Sequence, residues 1–382
     1  MDNAWRAVRP DQVEFGIWLP VYGGWLRVKD HATGPDVPAC LAIAQQAEAM
    51  GFDFLYASEN LLNCIHGPTE GVADAWSIMA AIAATTNRIG LCGAIKPGFR
   101  SPFLVARMLD TLSKIGRRKV AMNIVCGWWK TEFDLSGVQW LDHRRRYDRA
   151  DAFLRSLFGL FRPASNTCAD AAENSGSAHP PTTPESQPSP PTYGLDQDSL
   201  PEVWIAGHSD RAIQLAAEWG DCIFLNGMND QDLQKQIQTI RQEASQWGRT
   251  VKFAINAYVV AADTAEQAQE RVKAVIANKN TEIIEFFRGV MDQSGASAWS
   301  QLDEEQMVDS NAGFELGLIG SFEDIKNRIP VLAEMGIERI VCQFDDPMRD
   351  AGPFMKRVIR PLRSNWGGST PTTNHEFTSI HN

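Results

Sequence analysis

Short runs of apolar residues alternate with longer amphipathic stretches along most of the chain. The first run, residues 13–19, ends at Pro20 and predicts a strand. The stretch 37–50 spaces Leu41, Ile43 and Ala44 for one helical face and stops at Gly51, so it predicts a helix. The same reading predicts further strands at 52–57, 89–95, 119–125, 203–206, 222–225, 251–260 and 339–342. Helices are predicted at 75–85, 102–114, 146–161, 209–219, 230–247, 265–277, 322–335 and 347–362. Strands that alternate with helices imply parallel pairing. Eight such units fit an α/β fold of the (β/α)8 TIM-barrel type with insertions, and such a barrel carries its site on the loops after the strands. A doubly wound sheet is the rival, but no Gly-rich dinucleotide fingerprint follows an early strand.

The pattern breaks in three places. Residues 163–200 are rich in Pro, Ser and Thr, with Pro-Pro-Thr-Thr-Pro at 180–184. Such a segment cannot bury enough apolar surface to offset its ordering entropy. The alternation resumes beyond it, so it reads as an insertion within one domain spanning 1–382. Residues 278–320 read as a second irregular stretch, expected to be a mobile active-site loop. Residues 363–382 read as a disordered tail.

Composition narrows the function. The 382 residues carry 36 Lys+Arg and 47 Asp+Glu, a net charge of −11, with 44% hydrophobic and 22% charged residues. That is globular composition, and the acidic balance argues against a nucleic-acid binder. The seven cysteines are scattered without a C-x-x-C pair, as expected for a reducing compartment and no zinc site. Residues 1–6 lack an apolar signal core, and no run approaches the ~18 apolar residues of a membrane span. A soluble cytoplasmic protein is expected. The 12 Trp against 5 Tyr suggest a pocket for a flat or apolar ligand.

On the barrel reading, Glu59 and Asn60 follow the second strand, and Lys96 and Arg100 the third. Asn123 ends the fourth, with Cys126, Gly127, Trp128 and then Glu132 beyond it. Gly207, His208 and Ser209 follow the fifth, and Asn256 and Tyr258 lie in the seventh. This rim is aromatic and amide-rich. It offers no paired carboxylates for glycoside chemistry, no nucleophile elbow and no metal-ligand spacing. A pocket for a large flat cofactor remains. Gly207-His208-Ser209 opens a helix and reads either as a phosphate site or as an ordinary N-cap. The Arg144-Arg145-Arg146-Tyr147 run reads either as a solvated face or as the contact for an anionic tail. Lys96 and Arg100 read either as partners of an anionic substrate or as surface charge.

Three stretches together carry a family resemblance. They are Asn123-Ile-Val-Cys-Gly-Trp128-Trp129-Lys-Thr-Glu132, Trp140-Leu-Asp-His143-Arg-Arg-Arg146-Tyr147, and Gly207-His208-Ser209. They resemble the bacterial-luciferase-like flavin monooxygenases, closest to the reduced-FMN-dependent dimethylsulfone and alkanesulfonate enzymes. The resemblance spans about Phe15 to Leu362. It implies a luciferase-like barrel and a two-component system in which a separate NAD(P)H:flavin reductase supplies FMNH2. O2 is the co-substrate, a flavin C4a-hydroperoxide is the oxidant, and a small organosulfur compound loses a C–S bond. It also implies a homodimer or homotetramer.

By the same resemblance, Glu59, Asn60, Asn123, Cys126, Gly127, Glu132, Arg146, Tyr147, Gly207, His208 and Ser209 bind the cofactor. Trp128, His143, Asn256 and Tyr258 are expected in catalytic positions. Cys126 stands where the family has Ser or Thr, and reads either as a reactive thiol or as a small buried filler. Asn256 and Tyr258 stand where the alkanesulfonate enzymes have Arg and His, which tilts the reading toward a sulfone. The alternatives are a monooxygenase acting on a nitrogen heterocycle such as a pyrimidine, and a non-catalytic flavin-binding barrel.

Overall fold

The computed structural model describes residues 8–29, 34–116, 118–161, 193–294, 303–309, 311 and 313–366. Most of the predicted insertion at 163–200, and the tail beyond residue 366, lie outside them. Eight parallel strands close into a ring. They are β1 (Glu14–Trp18), β2 (Phe54–Ala57), β3 (Gly90–Ile95), β4 (Val120–Ile124), β5 (Glu202–Ala206), β6 (Cys222–Leu225), β7 (Lys252–Ala262) and β9 (Arg339–Phe344). Neighbours pair in chain order, and β9 lies between β7 and β1 to complete the circle. The predicted (β/α)8 barrel is therefore the fold. One short strand was not predicted: β8 (Ile319–Ser321) pairs with the last three residues of β7, outside the ring.

Helices cover the ring. They are α1 (Val37–Met50), α2 (Ala75–Thr85), α3 (Pro102–Gly116), α4 (Lys130–Leu135), α5 (His143–Phe161), α6 (Asp210–Trp219), α7 (Asp230–Gln246), α8 (Ala265–Ala277), α9 (Thr281–Ser294), α10 (Phe322–Met335), α11 (Pro347–Phe354) and α12 (Arg360–Trp366). Local chemistry sets their ends. Asp36 caps α1 by accepting from Ala39 N, and Gly51 stops it at φ +98, a left-handed conformation that costs other residues a steric clash. Ser321 with Asp324, and Thr264 with Gln267, form capping boxes on α10 and α8.

Two predictions needed correction here. Among its described residues, the 278–320 stretch is not irregular throughout: it holds α9, two 3-10 turns (Gln306–Val308 and Gly313–Leu316) and the start of β8. The single helix predicted at 347–362 is split. Pro353 cannot donate to the helical ladder, and the chain runs through a π-helical turn at Met355–Ile359 before α12.

Almost every strand residue is buried, because the helices cover the outside and side chains fill the inside. Gly16 makes room within the barrel: a Cβ there would lie 2.2 Å from the Phe54 ring. Phe54 packs edge-on to Trp204 at 5.5 Å, and Trp204 in turn lies 6.0 Å from Phe224. At the opposite end from the strand C-termini, Arg339 spans the interior. It donates to Glu14 Oε2 at 2.5 Å and to Glu202 Oε1 at 2.7 Å, joining β1, β5 and β9.

Candidate active site

One cleft opens where the strands end. Trp18, Tyr56, Ala94, Asn123, Ala206 and Phe224, from the last turns of β1 to β6, form its floor. The loops after those strands form its walls. Glu59, Asn60, Asn123, Cys126, Gly127, Trp128, His143, Arg146, Tyr147, Gly207, His208 and Ser209 all line it. Residues predicted from four separate stretches of chain are thus brought together.

The end of the cleft beside β5 suits an anion. Ser209 caps α6, accepting from Ala212 N at 3.3 Å, so the helix N-terminus faces the cleft. Gly207 sits at φ +124, and a Cβ there would lie 3.3 Å from the Tyr147 hydroxyl. Ser209 Oγ donates to that hydroxyl at 3.3 Å. The Arg146 guanidinium lies 4.2 Å over the Trp140 ring and donates to Leu141 O at 2.9 Å, which fixes its direction. Burial lowers its pKa from the ordinary arginine value, yet a guanidinium remains cationic at neutral pH. His143 packs its ring 5.1 Å from Tyr147, and burial, then the Arg146 charge, lowers its pKa, which favours the neutral imidazole. Burial likewise lowers that of His208.

Buried polar atoms of the lining without a hydrogen-bond partner among the described residues include Asn123 Oδ1, His208 Nδ1 and Trp25 Nε1. Asn123 is held in place because its Nδ2 donates to the Tyr56 hydroxyl at 2.7 Å. A buried polar atom without a partner is costly unless a ligand or water completes it. Burial of Cys126, 7% exposed, favours the small-filler reading over the reactive thiol. Burial pushes its thiol up to about 12 despite the nearby Arg146, Arg149 and Arg211.

The other end, beside β1 to β3, is aromatic and holds a buried polar network. Lys96 is 1% exposed. Its ammonium donates to Glu132 Oε2 and to Asn60 Oδ1, and Asn60 Nδ2 donates to the Tyr22 hydroxyl. Trp25 packs against Trp18 at 5.1 Å and Tyr22 at 5.7 Å. Trp128 stacks on Trp129 and meets Phe287 of α9 at 5.9 Å. Lys96 is therefore neither surface charge nor a free cation.

Three predicted site residues are not in the lining. Glu132 sits behind the wall, fully buried, where it pairs with Lys96 and accepts from Leu61 N at 2.7 Å and Leu62 N at 3.2 Å. Asn256 is fully buried and donates to Asn311 O at 3.4 Å, below the segment that reaches the cleft. Tyr258 lies in a separate apolar cluster with Leu26, Val260 and Met307, its ring 5.0 Å from Phe314. Asn256 and Tyr258, expected in catalytic positions, thus lie outside the lining of this cleft.

Tyr56, Cys64, Phe224, Phe287 and Asn311 line the cleft but were not singled out from sequence. Tyr56 and Phe224 were visible as inward positions of predicted strands. Phe287 had a signal too: Ile283, Ile284, Phe286, Phe287, Val290 and Met291 recur at helical spacing within a stretch read as irregular. Among the described residues, no group of His, Cys, Asp and Glu could hold a metal ion. Nor is any described helix long and apolar enough to cross a membrane.

Comparison with known proteins agrees with this geometry. The luciferase-like monooxygenase family matches residues 13–339. An FMNH(2)-dependent dimethylsulfone monooxygenase of Pseudomonas putida is 30% identical over 359 residues, covering 92% of this chain and 95% of the relative. A crystal structure of a long-chain alkane monooxygenase aligns with a TM-score of 0.74 at 19% identity, covering 92% of this chain and 91% of that one. A riboflavin lyase, crystallised with modified FMN and riboflavin, aligns with a TM-score of 0.69 at 22% identity, covering 93% and 92%. With a closed parallel barrel, a cleft at the strand C-termini and a match over most of its length, the chain belongs to the luciferase-like monooxygenase family.

Proposed function

We propose that this monooxygenase takes reduced FMN, delivered by a separate NAD(P)H:flavin reductase, and uses O2 to oxidise a small organosulfur compound such as a sulfone or an alkanesulfonate. The observation that carries the cofactor assignment is the pairing, in one cleft, of the Gly207–Ser209 helix terminus with the unpartnered Asn123 Oδ1. The residues fit the group. A phosphate suits the α6 N-terminus, Ser209 and the neighbouring Arg146. A flat ring with N–H groups suits Asn123, whose free oxygen is an acceptor, beside Trp18 of the floor and Trp128 of the wall. The relative from Pseudomonas putida, named for FMNH(2) and dimethylsulfone, supports both cofactor and substrate class.

Bound reduced flavin supplies two electrons, so that one atom of O2 enters the substrate and the other leaves as water. The protein's own part is binding, orientation and exclusion of water. Tyr56 holds the Asn123 amide, Tyr147 and Ser209 hold each other beside the helix terminus, and Trp128 and Phe287 close the aromatic side. Neutral His143 stands next to Tyr147, a position from which it can exchange a proton with a ligand in the cleft.

The test is anaerobic titration with reduced FMN, followed by mass-spectrometric product detection from sulfones, sulfonates and pyrimidines with an added flavin reductase. Asn123→Ala is expected to weaken reduced-FMN binding about tenfold, the loss of roughly one buried hydrogen bond. Its circular-dichroism spectrum should stay that of the parent. Unchanged affinity would remove Asn123 from the cofactor site.

A further inference from the structure

Near the α6 terminus, the Arg146 guanidinium donates to Leu141 O at 2.9 Å. Around Trp25 and Lys96, each cation is met by a carboxylate. Lys96 pairs with Glu132, and Arg100 pairs with Glu59 and Asp74. Behind the wall, fully buried Arg27 sits in the field of equally buried Asp309. An anion entering here would lose its hydration and gain no net positive charge, which is unfavourable.

The same end has a donor in need of an acceptor. Trp25 is 2% exposed and lines the cleft, and its buried indole Nε1–H has no acceptor among the described residues. The Lys96 ammonium has three N–H groups, and its two hydrogen bonds go to Asn60 and Glu132. Its Nζ lies 5.7 Å from the centre of the Trp128 ring, so the cation also faces the aromatic wall.

We infer that this end binds a small uncharged molecule through a hydrogen-bond-accepting oxygen, with Trp25 as donor, and that the buried Lys96–Glu132 pair turns anions away. The inference rests on the flavin reading and narrows its substrate class from organosulfur compounds in general to the neutral ones. Glu132 acts here through Lys96 and is a specificity-determining residue, not a catalytic one.

Dimethyl sulfone and methanesulfonate are near-isosteres, one methyl being replaced by an anionic oxygen, so they isolate charge. Full-length protein is supplied with FMN and a flavin reductase, and kcat and KM are measured for each compound. The parent is expected to prefer dimethyl sulfone by at least about tenfold in kcat/KM. Trp25→Phe should raise KM for dimethyl sulfone about tenfold with a smaller change in kcat. Its reduced-FMN affinity should stay within about twofold, separating substrate recognition from cofactor binding. Glu132→Gln leaves the Lys96 charge uncompensated and should shift the preference about tenfold toward methanesulfonate. If Glu132→Gln does not fold, the parent ratio and Trp25→Phe decide. Equal use of the two compounds by the parent, or an unchanged KM in Trp25→Phe, overturns the inference. So does a parent that binds reduced FMN but does not consume dimethyl sulfone, and in that case the flavin reading stands. Failure to bind reduced FMN at all overturns the flavin reading and this inference with it.

Discussion

Cys126 stands where a hydroxyl is usual in the family it resembles, and its surroundings decide what the exchange means. Three arginines favour the thiolate, but burial outweighs them and holds the thiol up at about 12. At any pH below about 10 the side chain is a neutral, weakly polar filler. Cys126→Ser is therefore expected to leave kcat within about twofold, since no charge is lost and volume falls only slightly. Iodoacetamide at pH 8, followed by peptide mapping, should leave Cys126 unmodified in the folded protein. Some residues of this site were legible because their chemistry is local. Gly207-His208-Ser209 announces a turn into a helix whatever the rest of the chain does. Lys96 and Glu132 were individually visible, but not as a pair. Lys96 lies on the loop after β3 and Glu132 in α4, 36 positions apart, and only barrel closure brings them together.

At the level of elements, α9 is the part the sequence hid. Its apolar face is plain in retrospect, but the helix is bracketed by polar and Gly-containing stretches that read as loop. Its placement depends on one residue far upstream. Arg27 lies 3.6 Å over the Phe287 ring and donates to Met307 O at 2.9 Å and Cys64 O at 3.1 Å. Burial lowers its pKa to about 10, so it stays charged at neutral pH. Backbone contacts reinforce the clamp, with Arg27 N donating to Val308 O and Asn280 N to Arg27 O. Arg27→Met strands two carbonyls and buried Asp309, and is expected to cost about 3 kcal/mol of unfolding free energy. Urea titration measures that loss. The same variant should release a larger share of its reducing equivalents as hydrogen peroxide, because Phe287 then no longer seals the aromatic wall.

Across the whole molecule, the barrel was the most legible level, because strand–helix alternation is repeated eight times and each unit supports the others. What alternation could not show is how the ring is braced. Arg339, 4% exposed, ties Glu14 and Glu202 together across the end remote from the cleft and lies 5.0 Å from the Trp204 ring. Arg339→Met is expected to lower the melting temperature by several degrees by leaving two carboxylates together without their cation. Reduced-FMN affinity should not change, because the opposite end of the barrel is untouched. The tryptophans that line the cleft have a further consequence. Trp18, Trp25 and Trp128 all border it, and Trp128 stacks on Trp129. Indole emission overlaps flavin absorption, so a flavin seated among these rings will drain their excited state. The protein carries a built-in optical reporter of its own occupancy, readable in unlabelled material.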